Sequence, residues 1–253
     1  MPVRLFAMTC GWLTGALGGF LVGEHGRLRV PVPCFLIEHP KGRVLFDSGL
    51  HPATQSDPSG RLGVAAQLFN VEFQPGEEIG ARLAALDIDV NAIRYLVNSH
   101  LHFDHAGGNA GIPNAQLIVQ RAEWAAGQDA ELARKNFFDP KDYNLGHDVL
   151  QVDGEYDLFG DGRVVCVSTY GHTPGHQSLR VRLDSVDIVL SGDACYLRRT
   201  LDELHLPSVL HDKQAMLASL HRLRALRAAG ARIFYGHDPE FWATVPQAPA
   251  AIV

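Results

Sequence analysis

Residues 99–109 contain an unusual density of strong metal ligands. The segment reads Ser-His-Leu-His-Phe-Asp-His-Ala-Gly-Gly-Asn, and its ligand candidates are His100, His102, Asp104 and His105. Alternation along an extended chain turns His100 and His102 to the same side. The turn that follows lets the other two candidates point at a second centre. Imidazoles and a carboxylate suit zinc, and these are too many for one tetrahedral ion that also keeps a water. The segment therefore predicts a site for two metal ions.

Three further ligand candidates each follow an apolar run and lie beside glycine. They are His172 after residues 164–168, Asp193 after residues 188–190, and His237 after residues 233–235. In α/β folds, active-site groups are often presented at the carboxyl ends of strands. Together with the first segment, these residues complete a set of seven ligands, which is enough for two ions that share one carboxylate.

Short β-rich runs and two clear helical patterns must position these side chains. The predicted strands are residues 3–8, 34–38, 44–47, 95–98, 116–119, 164–168, 178–183, 188–190 and 232–235. Apolar spacing predicts helices over residues 77–86 and 213–228, and Gly230 acts as a stop signal after the second. No long linker, repeat or low-complexity tract divides the chain. We therefore expect residues 1–253 to form one domain of mixed strands and helices.

Composition excludes several classes of function. The net charge is −6, and 22 Lys and Arg residues are spread thinly, so no nucleic-acid partner is expected. Four cysteines without C-x-x-C spacing are interpreted as reduced, buried thiols. Apart from residues 5–22, no stretch reaches the length of a transmembrane span. A cytoplasmic protein without a membrane partner is the prediction.

The ligand segment and three later motifs resemble a known family. Its H-x-H-x-D-H signature is present as residues 100–105, and the chain thereby resembles the metallo-β-lactamase superfamily. Residues 100–109, 173–179, 193–196 and 234–238 look most like the N-acyl homoserine lactonase group. The likeness extends over nearly the whole chain from about Pro31 onward.

The resemblance implies an α+β fold, a four-layer αββα sandwich with the site at one edge of two sheets. It also implies two zinc ions, or other divalent transition metals, divided between two sets of ligands. One ion would lie on His100, His102 and His172, the other on Asp104, His105 and His237, with Asp193 bridging both.

The implied reaction is hydrolysis of a carboxylic ester bond in a lactone ring by a metal-bridging hydroxide. Tyr196 is expected to stabilise the oxyanion, although simple packing near the site is its alternative role. Asp104 would act as general acid toward the ring oxygen. Asp47 is interpreted as a partner of a ligand histidine or as a turn cap, and His176 as a structural neighbour of the site.

N-acyl homoserine lactones are the favoured small-molecule substrate. Another lactone, such as a ring-fused aromatic one, or an ester or thioester of the hydroxyacyl-glutathione kind is the alternative, with phosphoester side activity possible. Residues 242–253 lack the basic side chains that glutathione would need. Two other functions are disfavoured. Di-iron reductases of this fold carry Glu at the position of His102. A metal-free binding module would not need the full ligand set.

The apolar stretch over residues 11–22 is predicted as a glycine-rich loop after the first strand. Its glycines favour a mobile cover over the metal site, with a dry wall for an acyl chain. Phe20 and Leu21, together with Phe103, are therefore predicted to bind substrate. A homodimer contact and a targeting segment are the two alternatives for the stretch.

Overall fold

The chain contains a mixture of strands and helices, as the sequence predicts. A computed structural model describes residues 2–253. The strands are β1 Arg4–Ala16, β2 Arg27–His39, β3 Gly42–Phe46, β4 Asn70–Glu72, β5 Ile93–Val97, β6 Gln116–Gln120, β7 Val149–Val152, β8 Tyr156–Asp157, β9 Val164–Ser168, β10 Gln177–Arg182, β11 Asp187–Leu190 and β12 Arg232–Phe234. The α-helices are α1 Leu17–Phe20, α2 Pro58–Leu62, α3 Ala65–Leu68, α4 Ile79–Ala84, α5 Phe103–Ala106, α6 Arg121–Gln128, α7 Ala130–Lys135, α8 Pro140–Tyr143, α9 Arg198–Glu203, α10 Lys213–Ala228 and α11 Pro239–Trp242.

The described strands form two sheets that pack face to face. The first has the order β4-β1-β2-β3-β5-β6-β7, and the second has the order β12-β11-β10-β9-β8. In β1, Leu5 and Ala7 enter the core between the sheets, while Phe6 and Met8 point to the opposite face. This alternation follows from the twofold period of a strand.

Helices cover the outer face of each sheet. On the first sheet, Leu36 and Leu96 pack with Ile79 and Leu83 of α4. On the second sheet, the side chains of α9 and α10 pack against β11 and β12. The layers are therefore helix, sheet, sheet and helix, and the predicted αββα sandwich is confirmed.

Helix and strand boundaries depend on how strongly the sequence marks them. The predicted helix at 213–228 is confirmed to the residue, and its partner at 77–86 is shortened to α4. Strands β4, β7 and β8, which have three, four and two residues, were not predicted. Among the helices of residues 2–253, none combines the length and apolarity needed to cross a bilayer. All four cysteines are buried and free, as expected.

The prediction that residues 11–22 form a mobile glycine-rich loop is wrong. Residues 11–16 continue β1, which pairs with β2 and β4, and α1 follows directly. A Cβ on Gly11, at φ +102°, would lie 2.9 Å from a Leu50 methyl, and one on Gly15 would lie 2.7 Å from the Phe69 ring. The glycines therefore permit close packing of a core strand, and they do not mark a flexible loop.

Candidate metal centre

The ligand candidates converge where strands from both sheets end. Strands β3 and β5 run parallel, so their carboxyl ends meet at one edge of the first sheet. Strands β11 and β12 are also parallel, and β9 runs in the same direction because both β9 and β11 pair antiparallel with β10. The loops that leave these ends contact each other, since the Gln177 N–H donates to the Ser99 carbonyl at 2.8 Å. The topology thus collects distant side chains at one site.

Close backbone packing holds the loop after β5 in place. Its first half ends at His102, which precedes α5, and α5 carries Asp104 and His105. A Cβ at Gly107 would lie 2.7 Å from the His51 nitrogen, and one at Gly108 would lie 2.2 Å from the Ser48 carbonyl oxygen. Glycine is therefore required at both positions so that the ligand segment can lie against the end of β3.

The seven predicted ligands come together in two groups. One group contains His100, His102, His172 and Asp193, and the other contains Asp104, His105 and His237. Within each group, one ligand atom from every residue lies within 4.8 Å of the others. The sequence prediction therefore named the residues that the fold brings together.

Asp193 lies between the two groups. Its Oδ2 is 3.3 Å from the His172 Nε2 and 3.6 Å from the His100 Nε2. Its Oδ1 is 3.1 Å from the His237 Nε2 and 3.3 Å from the His105 Nε2. Each carboxylate oxygen faces a different group, which is the arrangement that a bridging carboxylate needs.

Fixed acceptors set the tautomers of three of the histidines. The outer ring nitrogen of His105 donates to the Asp47 carboxylate at 2.8 Å. That of His102 donates to the backbone carbonyl of residue 136, and that of His237 to the Pro31 carbonyl, each also at 2.8 Å. Because the outer nitrogens carry the protons, the inner nitrogens direct lone pairs into the centre. These are the nitrogens that a metal ion binds.

The unpaired atoms at the centre fit metal ions. Within residues 2–253, the buried His105 Nε2 and Asp193 Oδ1 have no hydrogen-bond partner, although they lie 3.3 Å apart. Buried polar atoms are nearly always paired, so a carboxylate oxygen and an imidazole nitrogen that face each other without a hydrogen bond indicate a site for a cation. The donor set of imidazoles and carboxylates suits a divalent transition metal.

The pKa shifts of the histidines differ between the two ligand groups. Burial holds the pKa of His100 and of His172 well below the usual range, so these imidazoles are neutral, as ligands must be. Burial also acts to lower the pKa of His105, but the nearby carboxylates, led by Asp193 and Asp104, raise it well above the usual range. The second group thus lies in a strongly negative environment that favours bound positive charge.

His176 is a structural neighbour of the centre, as expected. Its Nε2 accepts the Asp193 backbone N–H at 3.0 Å, and its Nδ1 lies 3.0 Å from the Thr169 hydroxyl. Burial lowers its pKa to about 3, so the ring is neutral. Both ring nitrogens are engaged, and His176 positions Asp193.

Tyr196 lies at the edge of the centre. Its hydroxyl is 3.4 Å from the His172 Nδ1, and its ring lies 5.5 Å from the His237 ring between centroids. Burial raises the pKa of the phenol well above its usual range. The hydroxyl therefore stays protonated and can donate a hydrogen bond.

Comparison with known proteins agrees with this geometry. Residues 27–237 match the family model of the metallo-beta-lactamase superfamily. The chain belongs to this superfamily. It is 36% identical over 261 residues to the N-acyl homoserine lactonase AttM of Azorhizobium caulinodans, covering 98% of this chain and 97% of that protein. It is 32% identical over 225 residues to the lactonase AiiA of Bacillus thuringiensis subsp. kurstaki, covering 84% and 83%.

A solved structure of the superfamily shows the same architecture over the full length. An N-acyl homoserine lactone hydrolase, with the product N-hexanoyl-L-homoserine bound at its catalytic metal centre, matches this chain with a TM-score of 0.89. The two chains are 26% identical, and the match covers 100% of each. The predicted resemblance is thereby confirmed for family and fold.

The three side chains predicted to bind substrate lie in different places. The Phe20 ring packs edge-on against the Tyr196 ring, with 5.5 Å between centroids. Phe103 lies 6.1 Å from Phe69, whose ring in turn lies 6.4 Å from Phe20. Leu21 is fully buried and lines a cavity of about 490 Å³ whose wall contains none of the seven ligand candidates. Phe20, Phe69 and Phe103 thus form an aromatic wall that begins at Tyr196, and Leu21 lines a separate cavity.

Some residues that organise this superfamily site were not predicted. The carbonyls of Pro31 and Asn136 hold ligand histidines, and any residue type could supply them. Ser99 was quoted only as the start of the ligand segment, yet its hydroxyl contacts His100 and its N–H donates to Asp47 at 2.7 Å. Asp47 itself contacts His105, which agrees with the first of its two predicted roles.

Proposed function

We propose that this chain hydrolyses the ester bond of lactones, with N-acyl homoserine lactones as its substrates. The observation that carries the proposal is Asp193, whose two oxygens face two groups of metal ligands, with the Tyr196 hydroxyl 3.4 Å from the Nδ1 of one of these ligands, His172. The full-length similarity to named N-acyl homoserine lactonases supports the substrate class.

Two zinc ions are proposed as the cofactors. His100, His102 and His172 would hold one ion, Asp104, His105 and His237 the other, and Asp193 both. When bound, such ions lower the pKa of a shared water and polarise a carbonyl group. Zinc is preferred because histidine and carboxylate ligands suit it, and other divalent transition metals fit the same donors.

Tyr196 and Asp104 are the proposed catalytic residues. The protonated Tyr196 phenol would donate a hydrogen bond to the lactone carbonyl oxygen as negative charge develops there. As the oxygen of the nucleophilic water bonds to the carbonyl carbon, the Asp104 carboxylate, with Oδ2 3.6 Å from the His237 Nε2, would take the proton that this oxygen gives up. Asp104 would then pass the proton to the ring oxygen when the ring C–O bond breaks. The ring then opens to a hydroxy acid.

The aromatic wall is the proposed site for the acyl chain. Phe20, Phe69 and Phe103 form a chain of ring contacts that begins at Tyr196. Apolar rings there would exclude water and contact the methylenes of the acyl group. A homodimer and a cytoplasmic location stay predictions, and neither is needed for the chemistry.

A substrate panel tests the proposed function. Zinc-loaded protein should open N-acyl homoserine lactones, measured by proton release, with kcat/KM at least about tenfold above that for ring-fused aromatic lactones, aryl esters and acyl-glutathiones. A tenfold preference corresponds to about 1.4 kcal/mol of differential transition-state binding. A higher kcat/KM for acyl-glutathiones would contradict the lactonase assignment and favour a thioesterase.

Substitution of Phe20 by Ala should reduce discrimination between acyl lengths. Each methylene buried against the wall contributes up to about 0.8 kcal/mol, or about fourfold in kcat/KM. We expect this dependence on chain length to flatten in Phe20→Ala, while Val22→Ala, a change at a side chain that is 54% exposed, keeps the wild-type dependence. An unchanged slope in Phe20→Ala would show that the chain binds elsewhere.

A further inference from the structure

Glu123 is a fully buried carboxylate in the first turn of α6. It forms no ion pair with a Lys or Arg side chain of the described chain. Its Oε1 accepts the Leu101 N–H at 3.1 Å, and its Oε2 accepts the Gly175 N–H at 2.7 Å. One side chain therefore bonds to the backbone of two loops that are more than 70 residues apart in sequence.

The two loops supply the three histidines of one ligand group. Leu101 lies between His100 and His102, and Gly175 lies three residues after His172. The second loop is pressed against the helix, since a Cβ on Gly175 would lie 2.2 Å from the Glu123 backbone nitrogen. The side chain and the backbone of Glu123 thus both set the distance between the loops.

A buried carboxylate at this place costs desolvation free energy. Burial raises the pKa of Glu123 to about 7, although the hydrogen bonds act to lower it. An apolar side chain would avoid that cost, but it would leave two buried N–H groups without acceptors. A neutral amide could accept only one of them with its single oxygen.

We propose that Glu123 is a positioning residue that ties the loop of His100 and His102 to the loop of His172, so that their three imidazoles meet at one ion. The inference rests on the proposed function only in that a metal ion is held there. These two hydrogen bonds do not involve Asp104, His105 or His237. We therefore expect a change at Glu123 to weaken metal binding at only one of the two sites.

Zinc affinity measured against a competing chromogenic chelator tests the proposal. In Glu123→Gln, we expect one of the two ions to bind about 10- to 100-fold more weakly, the range for residues that orient ligands, and the other ion to bind as in wild type. Glu123→Asp, which keeps the charge but is one methylene shorter, should show the same selective loss. Glu131→Gln, an exposed change on the neighbouring helix α7, is the control and should leave both affinities unchanged.

A double-mutant cycle identifies the affected site. The losses of zinc affinity caused by Glu123→Gln and His102→Ala should be non-additive. The losses caused by Glu123→Gln and His237→Ala should be additive. Wild-type affinity at both sites in Glu123→Gln would overturn the proposal. An equal loss at both sites, with a lower unfolding midpoint of the metal-free protein, would also overturn it, because Glu123 would then only stabilise the fold. Since the measurement is zinc affinity, a wild type that binds two zinc ions but opens no lactone would contradict the proposed function and leave this inference standing.

Discussion

Asp193→Ala is expected to lower lactone hydrolysis by about 10³-fold and to reduce the bound metal together with it. Metal ions contribute several kcal/mol to transition-state stabilisation, and about 4 kcal/mol corresponds to about 10³-fold in rate. Asp193 is the residue whose two oxygens face both ligand groups, so its loss should weaken both sites. Elemental analysis and kcat/KM on the same preparation would measure the two effects.

The matched control is Asp184→Ala, which removes an exposed aspartate in the turn before β11. It should keep wild-type metal content and activity. If Asp193→Ala kept two metal ions per chain and lost only activity, Asp193 would be a reacting group and not a bridging ligand. Retention of full activity would contradict the site altogether.

Tyr196→Phe should lower kcat by roughly 10- to 100-fold without changing metal content. Loss of one oxyanion donor typically costs on the order of 10²-fold, and less where a metal ion shares the charge. The substitution removes only the hydroxyl, which lies 3.4 Å from the His172 Nδ1, and leaves the packing of the ring against Phe20.

Tyr156→Phe removes a hydroxyl from a tyrosine that is 36% exposed and serves as the control. An unchanged kcat in Tyr196→Phe would show that Tyr196 only packs beside the centre. A loss of metal in the same variant would instead make Tyr196 part of the support for His172.

The ligand set could be predicted because its signals are local. Four ligands occupy six consecutive positions, and His172, Asp193 and His237 each end an apolar run beside glycine. The groups that orient them could not be predicted in the same way. The carbonyls of Asn136 and Pro31 carry no side-chain signal, and their contacts with ligands span 34 and 206 residues of sequence.

The fold shows the same division between local and long-range information. Helix α10 has a regular apolar stripe and a glycine after it, and its bounds were predicted correctly. The second half of β1 was misjudged, because Gly11 and Gly15 suggest flexibility when considered alone. Only the tertiary structure shows that Leu50, Phe73 and Phe69 occupy the space of their missing side chains.

A metal titration of chelator-treated protein tests the central claim most directly. Zinc is added stepwise while the opening of an N-acyl homoserine lactone is followed by proton release. Two ligand groups that share Asp193 predict that activity rises until two equivalents of zinc are bound per chain and then stays constant. Full activity at one equivalent, or undiminished activity in the metal-free protein, would contradict a dinuclear lactonase.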